Sequence, residues 1–249
     1  MTKPKNRFTN LHKTNSLIVF VLLFLFANKM SFSQTITLSG GYSIPFGMYA
    51  TKDFTQKDAG IANKGYAIHV MFEDNRSRRV INPYFQYTYN NNPFDQDAVQ
   101  KYIKVISPNV IGVQGYKPWV QNILMLGAKA NYYHNNFNIY GKMGLGLAWA
   151  NTFGYNYYDT TSGFDVIKRK IAKDNTLALS IGLGTSIRLY ENVNLTLAYD
   201  LFYAKTNYGK PAYVDASGNP IGTSENYQAP LQTTTFSIGL SFYLAQINQ

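Results

Sequence analysis

Hydrophobic and polar residues alternate with a period of two along most of the chain after residue 34. This is the period of a β-strand, in which successive side chains point to opposite faces. No later stretch has the roughly 18 consecutive apolar residues of a membrane-spanning helix. Eight segments alternate, at residues 35–44, 66–72, 81–89, 124–132, 137–149, 176–189, 193–203 and 235–244. The pattern therefore predicts an all-β protein with eight strands.

The composition of the two faces distinguishes a membrane barrel from a soluble one. A period of two also fits a soluble lipocalin-like barrel, whose apolar face points inward. Here the apolar face carries no charge, as expected where Arg or Lys at the bilayer midplane would cost roughly 2–4 kcal/mol. The polar face is mostly Gly, Ser, Thr and Asn, and its charged residues are Lys129, Lys142, Arg188 and Asp200. We therefore predict an eight-stranded antiparallel up-and-down transmembrane β-barrel.

The connectors between the predicted strands fall into two classes by length. Three are short, around residues 73–79, 134–136 and 190–192, and four are long, at about 45–64, 90–121, 150–175 and 204–232. Outer-membrane barrels have short periplasmic turns and long extracellular loops. We therefore expect both termini in the periplasm of a bacterium.

The first 33 residues have the pattern of a cleaved secretory signal peptide. Residues 1–15 contain four basic residues and no acidic one, and residues 16–27 are almost wholly apolar. Ser31 and Ser33 occupy the −3 and −1 positions of a cleavage site before Gln34. The alternative is a retained anchor, but the apolar run is shorter than the about 20 residues that cross a bilayer. Cleavage would leave the barrel at 34–249 and lower the net charge from +10 to +5.

Composition narrows the chemistry that the chain can perform. The absence of cysteine excludes disulfides, thiolate metal sites, cysteine nucleophiles and a lipid-modified N-terminal cysteine. His69 and His134 are the only histidines after residue 33, and neither has a partner at metal-ligand or catalytic spacing. We expect no cofactor, no metal, no catalytic centre and no nucleic-acid partner.

Three short stretches resemble a known group of membrane proteins. The end of the chain, from Ser237 to Leu244, is similar to the C-terminal signal read by the barrel-assembly machinery, and Gly239, Phe242 and Leu244 match its key positions. Together with the stretches 40–47 and 144–149 and the export segment ending at Gln34, it resembles small outer-membrane β-barrel proteins of Bacteroidetes-type bacteria. These form a "porin family" group similar in shape to OmpX and the OmpA barrel. The resemblance implies a fold, and most members have no assigned role.

The predicted interior is too narrow for an open pore. An eight-stranded barrel is just wide enough for side chains to fill. Buried charges must be paired or hydrated, so we predict a lumen polar network of Lys129, Lys142, Arg188 and Asp200, with Asp200 hydrogen-bonded to at least one of the cations. Solvated charge without function is the alternative. We expect the glycines at 144, 146, 182 and 184 to make room for bulky lumenal side chains such as Tyr140.

Two of the long loops carry features of their own. Residues 95–106 have apolar positions at partly helical spacing, which predicts a short amphipathic helix over the barrel mouth. The third loop contains the basic residues Lys168, Arg169, Lys170 and Lys173. These could contact lipopolysaccharide phosphates through charge-assisted hydrogen bonds, or could form an ordinary solvated loop.

Three functions are compatible with the sequence. The first is a structural or interaction barrel that contacts outer-membrane lipid, lipopolysaccharide or an envelope protein through its loops. The second is a narrow channel for small solutes. The third is a lipid-modifying enzyme, which would need a His, a Ser and an acid on one face near the membrane. The absence of converging catalytic residues favours the first.

Overall fold

Eight long strands close into an antiparallel barrel in the computed structural model of the chain, and a second, five-stranded sheet lies outside it. The structure describes residues 34–53, 56, 58–75, 80–106, 108–159 and 166–244, so the predicted signal peptide lies outside the described residues. In chain order the elements are β1 (Gln34–Pro45), α1 (Gly47–Ala50), β2 (Gly65–Asp74), β3 (Ile81–Asn92), α2 (Gln96–Ile106), β4 (Val110–Lys117), β5 (Trp119–His134), β6 (Phe137–Asn151), β7 (Gly154–Asp159), β8 (Ile167–Arg169), β9 (Lys173–Tyr190), β10 (Val193–Ala204), β11 (Ala212–Val214), β12 (Pro220–Thr223) and β13 (Leu231–Leu244).

The barrel strands follow one another around the wall in chain order. Their order is β1-β13-β10-β9-β6-β5-β3-β2, so each strand pairs with its neighbours along the chain and β13 returns to β1. The closing pair runs in continuous register from Gln34 opposite Leu244 to Pro45 opposite Thr233. All eight pairings are antiparallel, which confirms the predicted up-and-down barrel of eight strands.

The two faces of the barrel wall have the predicted polarity. Apolar side chains point outward and are exposed, as with Leu145 at 66% and Leu177 at 76%. Polar side chains such as Gln86 and Thr88 point inward and are buried. In a water-soluble barrel the apolar face would instead fill the interior. This polarity therefore removes the soluble lipocalin-like alternative.

The two ends of the barrel differ in how the strands are joined. At one end, here called the turn end, lie Gln34 and Leu244 and the connections β2–β3, β5–β6 and β9–β10. Between β5 and β6 only Asn135 and Asn136 intervene, and Asn135 has φ +49°, a left-handed conformation that asparagine tolerates. The other end, here called the loop end, carries the remaining four connections.

The loop-end connectors fold into a single cap. The cap comprises the described residues of 46–64, 93–118, 152–172 and 205–230, and three of these connectors contribute strands to the sheet β12-β11-β8-β7-β4. The predicted helix is present as α2, with Val99 and Ile103 buried. One apolar cluster runs from the cap into the lumen, and fully buried Trp119 within it donates its indole N–H to the carbonyl of Gly60.

Candidate functional site: lumen and cap

A buried ion pair occupies the half of the lumen nearer the turn end. The Nζ of Lys129 lies 2.6 Å from Oε2 of Glu73, and both side chains are about 95% buried or more. The amides of Asn82 and Asn131 donate to the other carboxylate oxygen, at 2.7 and 3.1 Å. The Lys129 ammonium also lies 4.1 Å from the centre of the Tyr140 ring. The pair is therefore held by neighbours on three strands, β3, β5 and β6.

A second ion pair lies deeper in the lumen. The Nζ of Lys142 is 3.1 Å from Oδ1 of Asp200 and donates a hydrogen bond of 2.7 Å to Oε1 of Gln86. The sequence analysis predicted that Asp200 would bond to at least one of the lumenal cations, and the structure places it in an ion pair with Lys142, in which Oδ1 accepts no hydrogen bond of normal geometry from the described residues. A side chain at Gly182 would overlap Asp200, which explains that glycine.

Polar and aromatic side chains fill the space around these pairs. Nδ1 of His69 lies 2.9 Å from the hydroxyl of Thr88, and its ring stacks against Phe202 at 6.2 Å. Gly184 provides the space that the Tyr140 ring occupies, as predicted. These contacts place His69 in a packed interior.

Arg188 does not belong to the lumen network with which the sequence analysis grouped it. Its side chain is exposed at the turn end and donates to the backbone carbonyl of Glu191 at 3.4 Å. Arg188 lies two residues after the inward-facing Ser186 on β9, so it starts from the same face of the strand. It lies at the barrel rim, however, where a long side chain reaches solvent.

Sequence analysis missed Glu73, which it assigned to a connector. The side chain of Glu73 is buried, and β2 continues through Asp74. His69 and Met71 point inward, and the same alternation continues to position 73. Extending the predicted strand from residue 72 to residue 73 would therefore have identified Glu73 as an inward-facing side chain.

The four basic residues of the third loop differ in exposure, because one is buried and three are exposed. Arg169 is buried, and its guanidinium donates to the carbonyl of Phe153 at 2.6 Å. It also lies 4.6 Å from the Phe153 ring and 5.4 Å from that of Tyr227. The structure therefore corrects the expectation that all four residues could reach lipopolysaccharide, because Arg169 holds the cap together. Lys168, Lys170 and Lys173 are exposed.

Ionisable groups in the cap reflect its packing. Burial raises the pKa of Tyr227, and the nearby Arg169 opposes that rise. Burial also acts to raise the pKa of Asp95, but hydrogen bonds from Lys52 and from the N–H of Ala98 outweigh it, and the pKa is lowered from 3.8. Asp95 precedes α2, and its bond to Ala98, at 3.0 Å, caps the start of that helix.

The predicted assembly signal lies on β13 at the turn end. Phe242 and Leu244 point outward and are partly exposed, at 36% and 44%. A side chain at Gly239 would overlap the Leu38 carbonyl oxygen of β1, so glycine permits close pairing of the closing strands.

The described residues contain neither a metal-binding cluster nor a membrane-spanning helix. No group of three or more His, Asp or Glu side chains there is arranged to hold a metal ion. No helix in the same part of the chain combines the length and hydropathy that crossing a membrane requires.

Comparisons with known proteins show similarity to solved structures and to no known sequence family. No family model and no curated protein sequence matches the chain. A major outer membrane protein from Thermus thermophilus is similar with a TM-score of 0.52 and 12% identity, covering 86% of this chain and 100% of that one. Neisserial surface protein A has a TM-score of 0.45 and 11% identity, covering 84% and 96%. OprG from Pseudomonas aeruginosa has a TM-score of 0.43 and 13% identity, covering 86% and 97%. At 12% identity, the structural similarity to the Thermus thermophilus protein shows a shared fold and nothing more.

Proposed function

We propose that this protein is a bacterial outer-membrane β-barrel with a side-chain-filled lumen, and that it acts as a structural or interaction protein through its cap. Support for the membrane location comes from the exposed apolar side chains of the outward face and from the similar fold of the Thermus thermophilus outer membrane protein. We further propose that it has no catalytic function. Its sequence motifs favour the "porin family" group of Bacteroidetes-type barrels.

The paired, buried charges of the lumen carry this proposal. Lys129 with Glu73 and Lys142 with Asp200 give the described lumen equal numbers of positive and negative side chains, all at least about 92% buried. Above them Trp119 and Tyr49 are fully buried beneath the cap. An ion entering the lumen would have to displace these contacts, and the described lumen offers no net charge to attract it.

In the orientation that we propose, the turn end and both termini face the periplasm. The cap then faces the cell exterior, where Lys168, Lys170 and Lys173 would meet lipopolysaccharide phosphates or an envelope protein partner. The β13 signal, Gly239, Phe242 and Leu244, would be the part recognised by the barrel-assembly machinery. Single-cysteine labelling of intact cells tests the orientation, because the chain has no native cysteine.

Planar-bilayer recordings test the sealed lumen and separate this function from a narrow channel. The purified protein should give no stable large conductance, whereas a porin recorded in the same bilayers should do so. Stable large conductance from protein that is shown to be fully folded would overturn the proposal in favour of the channel.

Charge reversal tests the lipopolysaccharide contact. Replacing Lys168, Lys170 and Lys173 with Glu should weaken binding to lipopolysaccharide vesicles. A matched variant with Glu at Lys101, Lys104 and Lys210, which are also exposed in the cap, should bind almost as well as the wild type. An equal loss of vesicle binding in both variants would indicate general charge attraction. Unchanged binding in both would contradict the proposed lipopolysaccharide contact.

A further inference from the structure

The outward face of the barrel wall changes from apolar to polar near the loop end of β5, β6 and β9. The register of these strands aligns one outward row of leucines: Leu124, Leu147 and Leu177. Beyond it, the next two outward rows toward the loop end carry five side chains with N–H donors, here called the donor patch: Asn122, Trp149, Asn175, Asn151 and Lys173. The lipid-facing surface therefore gives way directly to amide, indole and ammonium groups.

The donors of this patch have few acceptors among the described residues. The hydroxyl of Tyr87 donates to Oδ1 of Asn122 at 2.6 Å, which fixes that amide and leaves its N–H groups without a described acceptor. The other four members make no side-chain hydrogen bond or ion pair with described residues. Asp174 follows Lys173 in the chain but lies on the opposite face of β9, where it accepts a bond from the N–H of Asn207 at 2.7 Å. The ammonium of Lys173 is therefore available to an external anion.

Two polar side chains on the outward face of β13 are satisfied by the chain itself. The Oε1 of Gln232 accepts from the backbone N–H of Met48 at 2.9 Å, and the hydroxyl of Thr234 donates to the carbonyl of Ile44 at 3.3 Å. β13 lies across the barrel from β5. The donor patch therefore differs from the polar positions on the opposite side of the wall, because its N–H groups remain available to a bound molecule.

An occupant of the donor patch has to join an apolar part to a wide headgroup that is rich in acceptors. Neighbouring strands lie about 4.8 Å apart, so the donors from β5 to β9 spread over about 10 Å, which is wider than a single phosphate group. The outward positions of these three strands contain no acidic residue, and Lys173 supplies one positive charge. The patch also continues the lipid-facing surface, because the leucine row lies directly beside it. These features fit an acylated headgroup that carries sugar hydroxyls and a phosphate.

We propose that the donor patch binds the phosphorylated disaccharide of lipid A, while the acyl chains of that lipid lie against the leucine row. The phosphate accepts a charge-assisted hydrogen bond from Lys173, and oxygen atoms of the disaccharide accept from the amides and from the indole of Trp149. The inference rests on the proposed function, since it takes the loop end to face the outer leaflet. It extends the lipopolysaccharide contact from the third loop onto the wall.

Lipid titration of the folded protein in lauryldimethylamine oxide micelles tests the patch in either orientation. One ammonium matches one phosphate, so monophosphoryl lipid A is the probe, and native mass spectrometry counts the lipid bound. We expect one saturable molecule of lipid A, weaker binding of phosphatidylglycerol, and no displacement of lipid A by excess inorganic phosphate. Equal binding of phosphatidylglycerol would overturn the disaccharide assignment, and displacement by inorganic phosphate would overturn the assignment to a lipid.

Substitutions on the wall locate the binding. Asn122→Leu combined with Asn175→Leu extends the leucine row by one level, and the heat-dependent shift in gel mobility checks that the barrel is folded. Each hydrogen bond lost should weaken binding of lipid A roughly two- to tenfold, and so should Lys173→Gln. Thr234→Val and Lys205→Gln make matched changes outside the patch and should leave binding unchanged. No saturable binding of lipid A, or full binding by the folded double variant, would overturn the site.

One further variant separates this inference from the proposed function. Lys168→Glu combined with Lys170→Glu changes the third loop and leaves the donor patch intact, so it should keep most of the lipid A binding in micelles. Loss of binding in this loop variant, with full binding by the double asparagine variant, would reject the patch and leave the loop contact in place. The titration depends neither on membrane orientation nor on conductance.

Discussion

The Glu73–Lys129 pair offers the most direct test of how the lumen is stabilised. Glu73→Gln removes the negative charge but keeps the shape of the side chain, and it leaves the Lys129 ammonium buried without a counter-ion. Breaking a buried pair from one side costs about 3–5 kcal/mol. The Tyr140 ring, 4.1 Å from Nζ, would offset about 0.5–2 kcal/mol of this. We therefore expect the free energy of unfolding to fall by about 1–4.5 kcal/mol.

The double variant makes this test specific. Glu73→Gln with Lys129→Met removes both charges, and replacing a buried pair by neutral side chains of similar volume is often close to neutral. It should therefore be more stable than Glu73→Gln alone. Unfolding in urea from lipid vesicles can be followed by the fluorescence of Trp119 and Trp149, with the exposed Glu225→Gln as a control. A loss below about 1 kcal/mol in the single variant, or no recovery in the double one, would refute the reasoning.

Three further predictions concern the cap and the closure of the barrel. Asp95→Ala should lower the hydrogen-exchange protection of α2 by about 1 kcal/mol, whereas Asp95→Asn should lower it less. Because the pKa of Asp95 is lowered in the folded state, this protection should hold at neutral pH and be lost as the pH falls below 3.8 through the folded pKa. Arg169→Met should speed proteolysis of the cap while the barrel remains resistant, because it removes the contacts to Phe153 and Tyr227. Gly41→Ala should reduce the folded fraction, because its Cβ would overlap the Phe236 carbonyl, whereas Gly112→Ala should not.

Each of these predictions has an outcome that contradicts it. Protection of α2 that is unchanged by Asp95→Ala would mean that packing of Val99 and Ile103 alone holds the helix. A cap as resistant in Arg169→Met as in the wild type would mean that its apolar contacts suffice. Equal folded fractions for the two glycine variants, measured by the heat-dependent gel shift, would mean that the closing strands can separate to accept a side chain.

The barrel was predictable because each of its strands has an outward apolar face against lipid and an inward polar face. This constraint repeats over 10 to 18 residues a strand and leaves a visible period. The sheet of the cap has no such signal. β8 and β11 are three residues each, and they pair across 44 positions of sequence at Tyr213 and Arg169. Such a pairing depends on where the barrel places the loop ends, which one sequence does not specify.

The candidate site was predicted in part for the same reason. The alternation of side chains along each strand predicted that Lys129, Lys142 and Asp200 point into the barrel. Alternation does not show how far a residue lies from the barrel rim, so it could not show that Arg188 reaches solvent there. Arg169 looked like one of four solvated cations because the aromatic rings that enclose it come from residues 153–155 and 227. Its burial depends on contacts between loops.

The orientation of the wall is the central claim, and spin labels along β9 test it most directly. Cysteines placed singly at residues 177–181, in a chain that has none, are labelled and measured in bilayers for collision with oxygen and with a water-soluble nickel complex. Labels at Leu177, Leu179 and Ile181 should collide mainly with oxygen, and those at Ala178 and Ser180 should be immobilised and shielded from it. The reverse alternation, or equal exposure of all five to the nickel complex, would contradict the account.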